Sequence, residues 1–214
     1  MPSPDLKIRR VCSAGEPAFD GLVAIYTEAH AENERKSPEK LEAMIRHPAY
    51  FFLVATELNQ VVGFCILRVL HDSDAALLEY MAVARDRRNQ GIGQRLFVET
   101  AESPPFSSKF LLAEVDSDKK NPADKGERIR RKAFYRRLGW REVDQLRYIM
   151  PPVSGALPPD MDMLVYKRDL PPHIERDRLR RWLERCYVEV YGMSANDTRI
   201  EGMVCALPAK VRLT

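Results

Sequence analysis

The chain has 214 residues, 45% of them apolar and 30% charged, with a formal net charge of +3. That length buries one good core and a small addition, so one domain over residues 1–170 with an extension over residues 171–214 is expected. The charge is too mild for a protein that binds nucleic acid as a bulk polyanion, and no segment approaches membrane-spanning length, so neither nucleic acid nor membrane is an expected partner.

MPSPDLKIRR has basic residues but no apolar core for a signal peptide, which predicts a cytoplasmic protein. Cys12, Cys65, Cys186 and Cys205 lack metal or redox spacing and lie in apolar contexts, so buried thiols are expected. Leu6 to Val11 alternates as an edge strand, and Gly15-Glu16-Pro17 ends it before a helix from about Ala18 to Ala31 with Phe19, Leu22, Val23 and Tyr26 on one face. Ser37-Pro38-Glu39-Lys40 reads as a helix start, with Ser37 as N-cap and Pro38 at the first helical position, and this helix ends by His47-Pro48. Tyr50 to Glu57 and Val61 to Leu70 form a hairpin across Leu58-Asn59-Gln60. His71, in a polar turn beside aspartates, reads as a surface residue.

Ala75 to Thr100 is the stretch around which the chain is organised. Leu77, Glu79, Met81 and Val83 alternate with Leu78, Tyr80 and Ala82, giving a central strand that is apolar on both faces apart from one carboxylate. Ile92, Leu96, Phe97 and Thr100 then fall at helical spacing, so a helix begins near Asn89 to Gly91. A helix start leaves backbone N–H groups unpaired and carries partial positive charge, which suits an anion such as a pyrophosphate. Gly91 and Gly93 let phosphate oxygens approach those amides, and Arg88 adds a full charge. The spacing is not that of a Rossmann turn, for want of a third glycine, nor of a Walker A loop, since Gln94 and Arg95 stand where Lys and Ser/Thr are needed.

Ser103-Pro104-Pro105 breaks the chain, Phe110 to Val115 is the next buried strand, and Asp116 to Gly126 is a polar loop. Ala133 to Trp140, AFYRRLGW, closes a basic helix on which Ile129, Ala133, Phe134 and Leu138 are the expected buried face. Val143 to Met150 is predicted as a strand, Pro151 to Pro159 as a linker or lid, and Met161 to Tyr166 as a last strand. Beyond Pro171-Pro172, Leu179, Trp182, Leu183, Cys186, Tyr187, Val190 and Tyr191 make an amphipathic helix faced with Arg178, Arg181 and Arg185. Its apolar stripe either packs back on the domain, the favoured reading, or meets a second subunit in a homodimer.

Two of these motifs, V-x-x-x-x-R-x-x-G-x-G from Val83 to Gly93 and the AFYRRLGW segment, occur in the order and context in which the sequence resembles the GCN5-related N-acetyltransferase (GNAT) superfamily. The resemblance covers Leu6 to roughly Lys167. It implies an α/β (α+β) fold with a mixed, mostly antiparallel central sheet, splayed central strands and flanking helices, to which the C-terminal amphipathic helix is added. It implies acetyl-CoA as acyl donor and no metal, with the coenzyme pyrophosphate on Arg88, Asn89, Gln90, Gly91, Ile92, Gly93 and Gln94 and the pantetheine arm beside Met81, Ala82 and Val83 by strand-like pairing. Arg128 stands where many members carry an asparagine that contacts the coenzyme arm, and there it offers a charge-assisted contact to phosphate.

For chemistry, the resemblance makes Tyr135 the general acid for the departing thiolate; the alternative is a core tyrosine packed on Phe134. Glu79 is the candidate base, directly or through water, since a lone carboxylate in an apolar strand is pushed upward by desolvation; the alternative is a buried ion pair with an arginine. Glu114 is the reserve base, and the backbone N–H near Val83 the oxyanion donor. The resemblance makes the first two helices a wall of the acceptor site, where Glu28, Glu32 and Glu34 would meet a cationic substrate; the alternative, and the favoured reading for most of them, is solvated surface charge. The reading is an N-acetyltransferase acting on a primary amine of a small molecule or protein. The rivals are a coenzyme-binding module without turnover, a transferase of another acyl group, and an RNA-associated scaffold, which the mild charge disfavours.

Overall fold

A computed structural model of the chain describes residues 5–119, 125–152 and 160–214. The polar loop after Asp116 and the proline-rich linker of the sequence reading fall partly outside these residues. The first half runs β1 (Lys7–Val11), α1 (Pro17–Ala29), α2 (Pro38–Arg46), β2 (Tyr50–Glu57), β3 (Gln60–Val69), β4 (Ala75–Val83) and α3 (Ile92–Glu102). The second runs β5 (Phe110–Asp116), α4 (Lys125–Arg137), β6 (Arg141–Glu142), β7 (Met161–Tyr166), β8 (His173–Glu175), α5 (Arg176–Glu189), α6 (Thr198–Val204) and β9 (Lys210–Arg212). Seven strands form one mostly antiparallel sheet in the order β1-β2-β3-β4-β5-β7-β6, and β8 with β9 form a separate ribbon. The mixed α/β class with helices about an antiparallel sheet is thus the observed one. By their contacts the residues fall into two units, Met1–Val69 with Leu78–Phe106, and Leu70–Leu77 with Ser107–Thr214.

In the first unit β1 pairs antiparallel with β2, and β2 with β3. The β2–β3 turn is the two residues Leu58 and Asn59, both with positive φ (47° and 66°), which matches the right-handed twist of the strands it joins. Helix α1 buries Ala18, Phe19, Leu22, Ile25 and Tyr26 against Phe52, Val54, Phe64 and Ile66. Helix α2 starts as its sequence demands: Ser37 Oγ accepts from the Lys40 N–H, and Pro38 occupies a position whose N–H would be unpaired in any case.

In the second unit β7 pairs with β5 from Leu111↔Tyr166 to Asp116↔Met161, and β6 pairs with β7 at its edge. The stripe of α5 is covered inside this unit. Leu179, Trp182, Leu183, Cys186 and Tyr187 share one core with Leu77, Phe110, Leu112 and Val165, and Trp182 Nε1 donates to Asp74 Oδ1 at 2.8 Å. Each such side chain contributes roughly 1.5–3 kcal/mol as an upper bound.

Three expectations are corrected. The predicted strand Val143 to Met150 is absent: β6 ends at Glu142, Val143 bridges Leu213, and Gln145 takes φ 59°. Leu146 and Tyr148 are still buried there while Arg147 is exposed, so the alternation reports packing without a ladder. Cys65 and Cys186 are buried, but Cys12 and Cys205 are exposed, because both sit outside the apolar faces of the adjoining elements. Finally, α4 turns inward the face that bears Arg128, Lys132 and Tyr135, leaving Ile129 45% exposed.

The inversion of α4 is driven by carboxylates. The Lys132 ammonium, 1% exposed, lies 2.8 Å from Asp118, 2.6 Å from Asp162 and 2.9 Å from Glu142, and Lys119 reaches Glu142 and Asp162 at 2.7 and 3.1 Å. Burial alone raises Asp162 and Asp118, but hydrogen bonds and charge from Lys132 outweigh it and leave both below the ordinary 3.8. Burial likewise pushes Lys132 down, yet its bonds to Asp118, Asp162 and Glu142 leave it above the ordinary 10.5. The aspartates therefore contribute stability that is present above pH 3.8 and lost as pH falls through their lowered folded values. The lysine contributes stability present below pH 10.5 and lost as pH rises through its raised value. Lys132→Met, which strands the carboxylates, is expected to cost about 3–5 kcal/mol at neutral pH. Urea denaturation should also show the loss of stability on the acid side of neutrality becoming shallower in this variant.

Candidate active site

The turn after β4 is built entirely within the first unit. β4 is fully buried over Ala75–Leu78 and only half-buried from Glu79 to Val83, so its last five residues, Met81, Ala82 and Val83 among them, keep a side open to a ligand. Gly63 on β3 permits this end to sit close: a Cβ there would meet Ala82 O at 3.2 Å and Ile92 Cγ2 at 3.4 Å. After a short 3-10 turn at Arg85–Arg87, Asn89 and Gly91 take positive φ (64° and 80°), and Gly91 is the N-cap of α3.

Among the described residues no side chain caps that helix, and its first turn contains no acidic residue. The Gly91 carbonyl already accepts from Arg95 N at 3.0 Å, while the N–H groups of Ile92, Gly93 and Gln94 belong to the first turn that no intrahelical carbonyl reaches. Arg88, Asn89, Gln90, Gly91 and Gln94 are exposed, Gly93 is half-buried, and Ile92 anchors the helix in the core at 1% exposure. Arg87 is paired with Glu57 at 2.9 Å and Arg95 with Glu99 at 2.6 Å. Arg88 makes no ion pair among the described residues; its Nε donates to Val83 O at 3.3 Å, which holds the guanidinium over the turn. Such an arrangement of first-turn amides with an arginine beside them is chemically able to seat an anion.

Glu79 is in the same unit, and its surroundings differ from the lone carboxylate foreseen. Lys36 Nζ donates to Glu79 Oε2, with the two side chains only 8% and 4% exposed, so the partner is a lysine rather than an arginine. Glu79 Oε1 has no hydrogen-bond partner among the described residues. Beside the pair, Tyr26 and Tyr80 meet edge-on at 4.9 Å with His30 packed on both rings, and Lys36 Nζ lies 5.6 Å from the Tyr80 centroid. Tyr26 Oη accepts from the Lys36 N–H at 2.7 Å and Tyr80 Oη donates to Glu34 O at 3.2 Å, pinning the 31–36 segment over β4. Burial and then the charge of Glu79 raise the Tyr50 phenol, so it stays a neutral hydroxyl. Glu28, Glu32 and Glu34 are exposed.

The remaining candidates belong to the second unit. Glu114 accepts from Tyr148 Oη on one oxygen and from Tyr191 Oη on the other. Burial, then the Glu114 charge, raises the Tyr148 phenol. Tyr135 is 8% exposed, with its ring edge-on to Phe134 at 5.6 Å and to Trp140 at 5.3 Å. Arg128 is buried and donates through Nη1 to Ser117 O at 3.0 Å. Sequence reasoning missed Lys36 as the partner of Glu79 and Tyr148 and Tyr191 as the partners of Glu114, contacts that form only through the fold.

No helix of the described residues is long and apolar enough to cross a membrane, and no group of His, Cys, Asp and Glu among them is arranged to hold a metal ion. Gly91→Ala, which forces a Cβ into the left-handed region, is expected to lower stability by about 1–2 kcal/mol. Gly93→Ala, already inside the helix, should leave stability equal or higher in the same urea titration.

Residues 48–142 match the family model of the acetyltransferase (GNAT) domain. No curated protein matches the chain by sequence. Among solved structures, a GNAT-family protein from Bacteroides thetaiotaomicron is similar with a TM-score of 0.72 at 17% identity, over 88% of this chain and 99% of that one. A GNAT-family acetyltransferase from Elizabethkingia anophelis with acetyl-CoA bound gives 0.53 at 19% identity, over 77% and 99%. The ribosomal-protein-S18-alanine N-acetyltransferase of Escherichia coli gives 0.52 at 21%, over 78% and 99%. At these identities the likeness is one of fold.

Proposed function

From the GNAT acetyltransferase domain that residues 48–142 carry, we propose that the protein is an acetyl-CoA-dependent N-acetyltransferase acting on a primary amine. The observation that carries this reading is the uncapped start of α3 at Gly91, where first-turn amides and the unpaired Arg88 form a seat for a diphosphate. The bound coenzyme in the Elizabethkingia anophelis neighbour supports the choice of ligand.

On this reading Arg88 to Gln94 hold the pyrophosphate, and the half-open end of β4 at Met81, Ala82 and Val83 pairs with the pantetheine arm. Arg128 serves as a prop rather than a direct phosphate ligand, since it is buried and donates to Ser117 O. Glu79 takes the proton of the acceptor amine, the amine attacks the thioester carbonyl, and a backbone N–H near Val83 stabilises the oxyanion. Tyr135 returns a proton to the leaving thiolate, the role that the resemblance gives it. Glu114 is the less favoured base because both its oxygens already accept from tyrosines. The protein is placed in the cytoplasm, where exposed thiols such as Cys12 and Cys205 persist reduced. Residues 171–214 serve as an extension that completes the core of the second unit.

Gly91→Glu puts bulk and like charge at the phosphates and is expected to abolish acetyl-CoA binding in calorimetry; undiminished affinity would remove the turn from the site. Tyr135→Phe should lower turnover by about 100-fold, within the usual range for loss of an acid-base group, with coenzyme affinity unchanged. Free-thiol release measured over a panel of amines reads this directly, and turnover equal to wild type would exclude Tyr135 from the chemistry.

A further inference from the structure

We propose that Lys36 is itself an acetyl acceptor, so that the protein modifies its own Lys36 side chain when acetyl-CoA is bound. The inference rests on the acetyltransferase reading above. Its carrier is the pair in the first unit, where Lys36 Nζ donates to Glu79 Oε2, the carboxylate assigned to take a proton from an incoming amine.

A base, a tethered backbone and an aromatic face are in place around that nitrogen. The 31–36 segment is pinned by Tyr26 and Tyr80, which fixes the Lys36 backbone at 2.7 Å from the Tyr26 hydroxyl. The ammonium lies 5.6 Å from the Tyr80 ring centroid, a cation–π contact that seats a primary alkylammonium. Glu79 Oε1, without a hydrogen-bond partner among the described residues, leaves capacity on the base for a water or a second proton position. Two residues further along the same strand, Met81 begins the stretch assigned to the pantetheine arm, a separation of roughly 7 Å at the rise of an extended chain. Pre-positioning of this kind is what turns an ordinary lysine into a reactive one.

The step balances as follows. The Lys36 ammonium gives one proton to Glu79, and the neutral amine attacks the thioester carbonyl. The N–C bond forms and the C–S bond breaks. The second proton lost by nitrogen accounts for the thiol of free coenzyme A, and the proton on Glu79 passes to solvent. The product is a neutral amide, which no longer pairs with Glu79.

Burial makes the outcome diagnostic. With its side chain 8% exposed, Lys36 is a poor target for uncatalysed acetylation, whereas Lys7 and Lys40 are exposed. The purified full chain is incubated with acetyl-CoA and its peptides are followed by mass spectrometry, with coenzyme affinity measured in parallel by calorimetry. The expected result is Lys36 acetylation at least about 10-fold faster than at Lys7 or Lys40, a small part of what positioning supplies. Its half-time should be independent of protein concentration. Glu79→Gln should lower Lys36 modification to the level of the exposed lysines, with coenzyme affinity and circular dichroism unchanged to show that the variant folds. Coenzyme bound with Lys36 modified no faster than Lys7 and Lys40 overturns this inference and leaves the acetyltransferase reading standing. Absence of coenzyme binding overturns both.

Discussion

An α-helix cannot pair the amides of its own first turn, and at Gly91 no side-chain cap does so among the described residues. Every feature nearby follows from that vacancy in the hydrogen-bond ladder. Ile92 and Leu96 anchor the helix in the core, Gly91 takes the left-handed conformation that brings the chain in from the strand, and Gly63 lets β3 approach the end of β4 closely. The surrounding charges are arranged with matching economy. Arg87 and Arg95 are tied to glutamates, so that of these arginines Arg88 alone makes no ion pair among the described residues.

The second constraint is electrostatic. Glu79 and Lys36 are almost fully enclosed, and two opposite charges in such surroundings are tolerable only together. Removing either from the pair, by a proton or by an acyl group, changes the balance for the other. A carboxylate whose companion can lose its charge is a different chemical object from one fixed by a permanently charged arginine, and Lys36 is the side chain that makes the difference. With the two side chains only 8% and 4% exposed, solvent dilutes the coupling little.

Most of the frame was legible in the sequence because local rules and tertiary structure agree there. The Ser37-Pro38 cap, the β2–β3 hairpin, the uniformly apolar start of β4 and the stripe of α5 each carry a period or a cap that has one good solution. The misread places are those where a distant partner decides. Hydropathy ranks Ile129 above Lys132 for burial, and the order is reversed because Asp118, Glu142 and Asp162, from three other segments, meet the lysine. Val143 to Met150 alternates like a strand, but its inward residues pack without a neighbour to complete a ladder. Glu79 and Lys36 are 43 positions apart, and no periodicity links them. The turn into α3, by contrast, was readable because its signal is the glycines of one short segment.

The buried lysine of α4 bears on how the molecule responds to heat. Hydration of ions becomes less favourable as temperature rises, so the cost of keeping Lys132 and its carboxylates out of water falls on warming, while the gain from apolar burial levels off. The second unit, which holds this cluster, therefore leans progressively more on ionic than on apolar contacts as the protein is warmed, and chilling or added salt shifts the balance the other way at the exposed Lys119 rim.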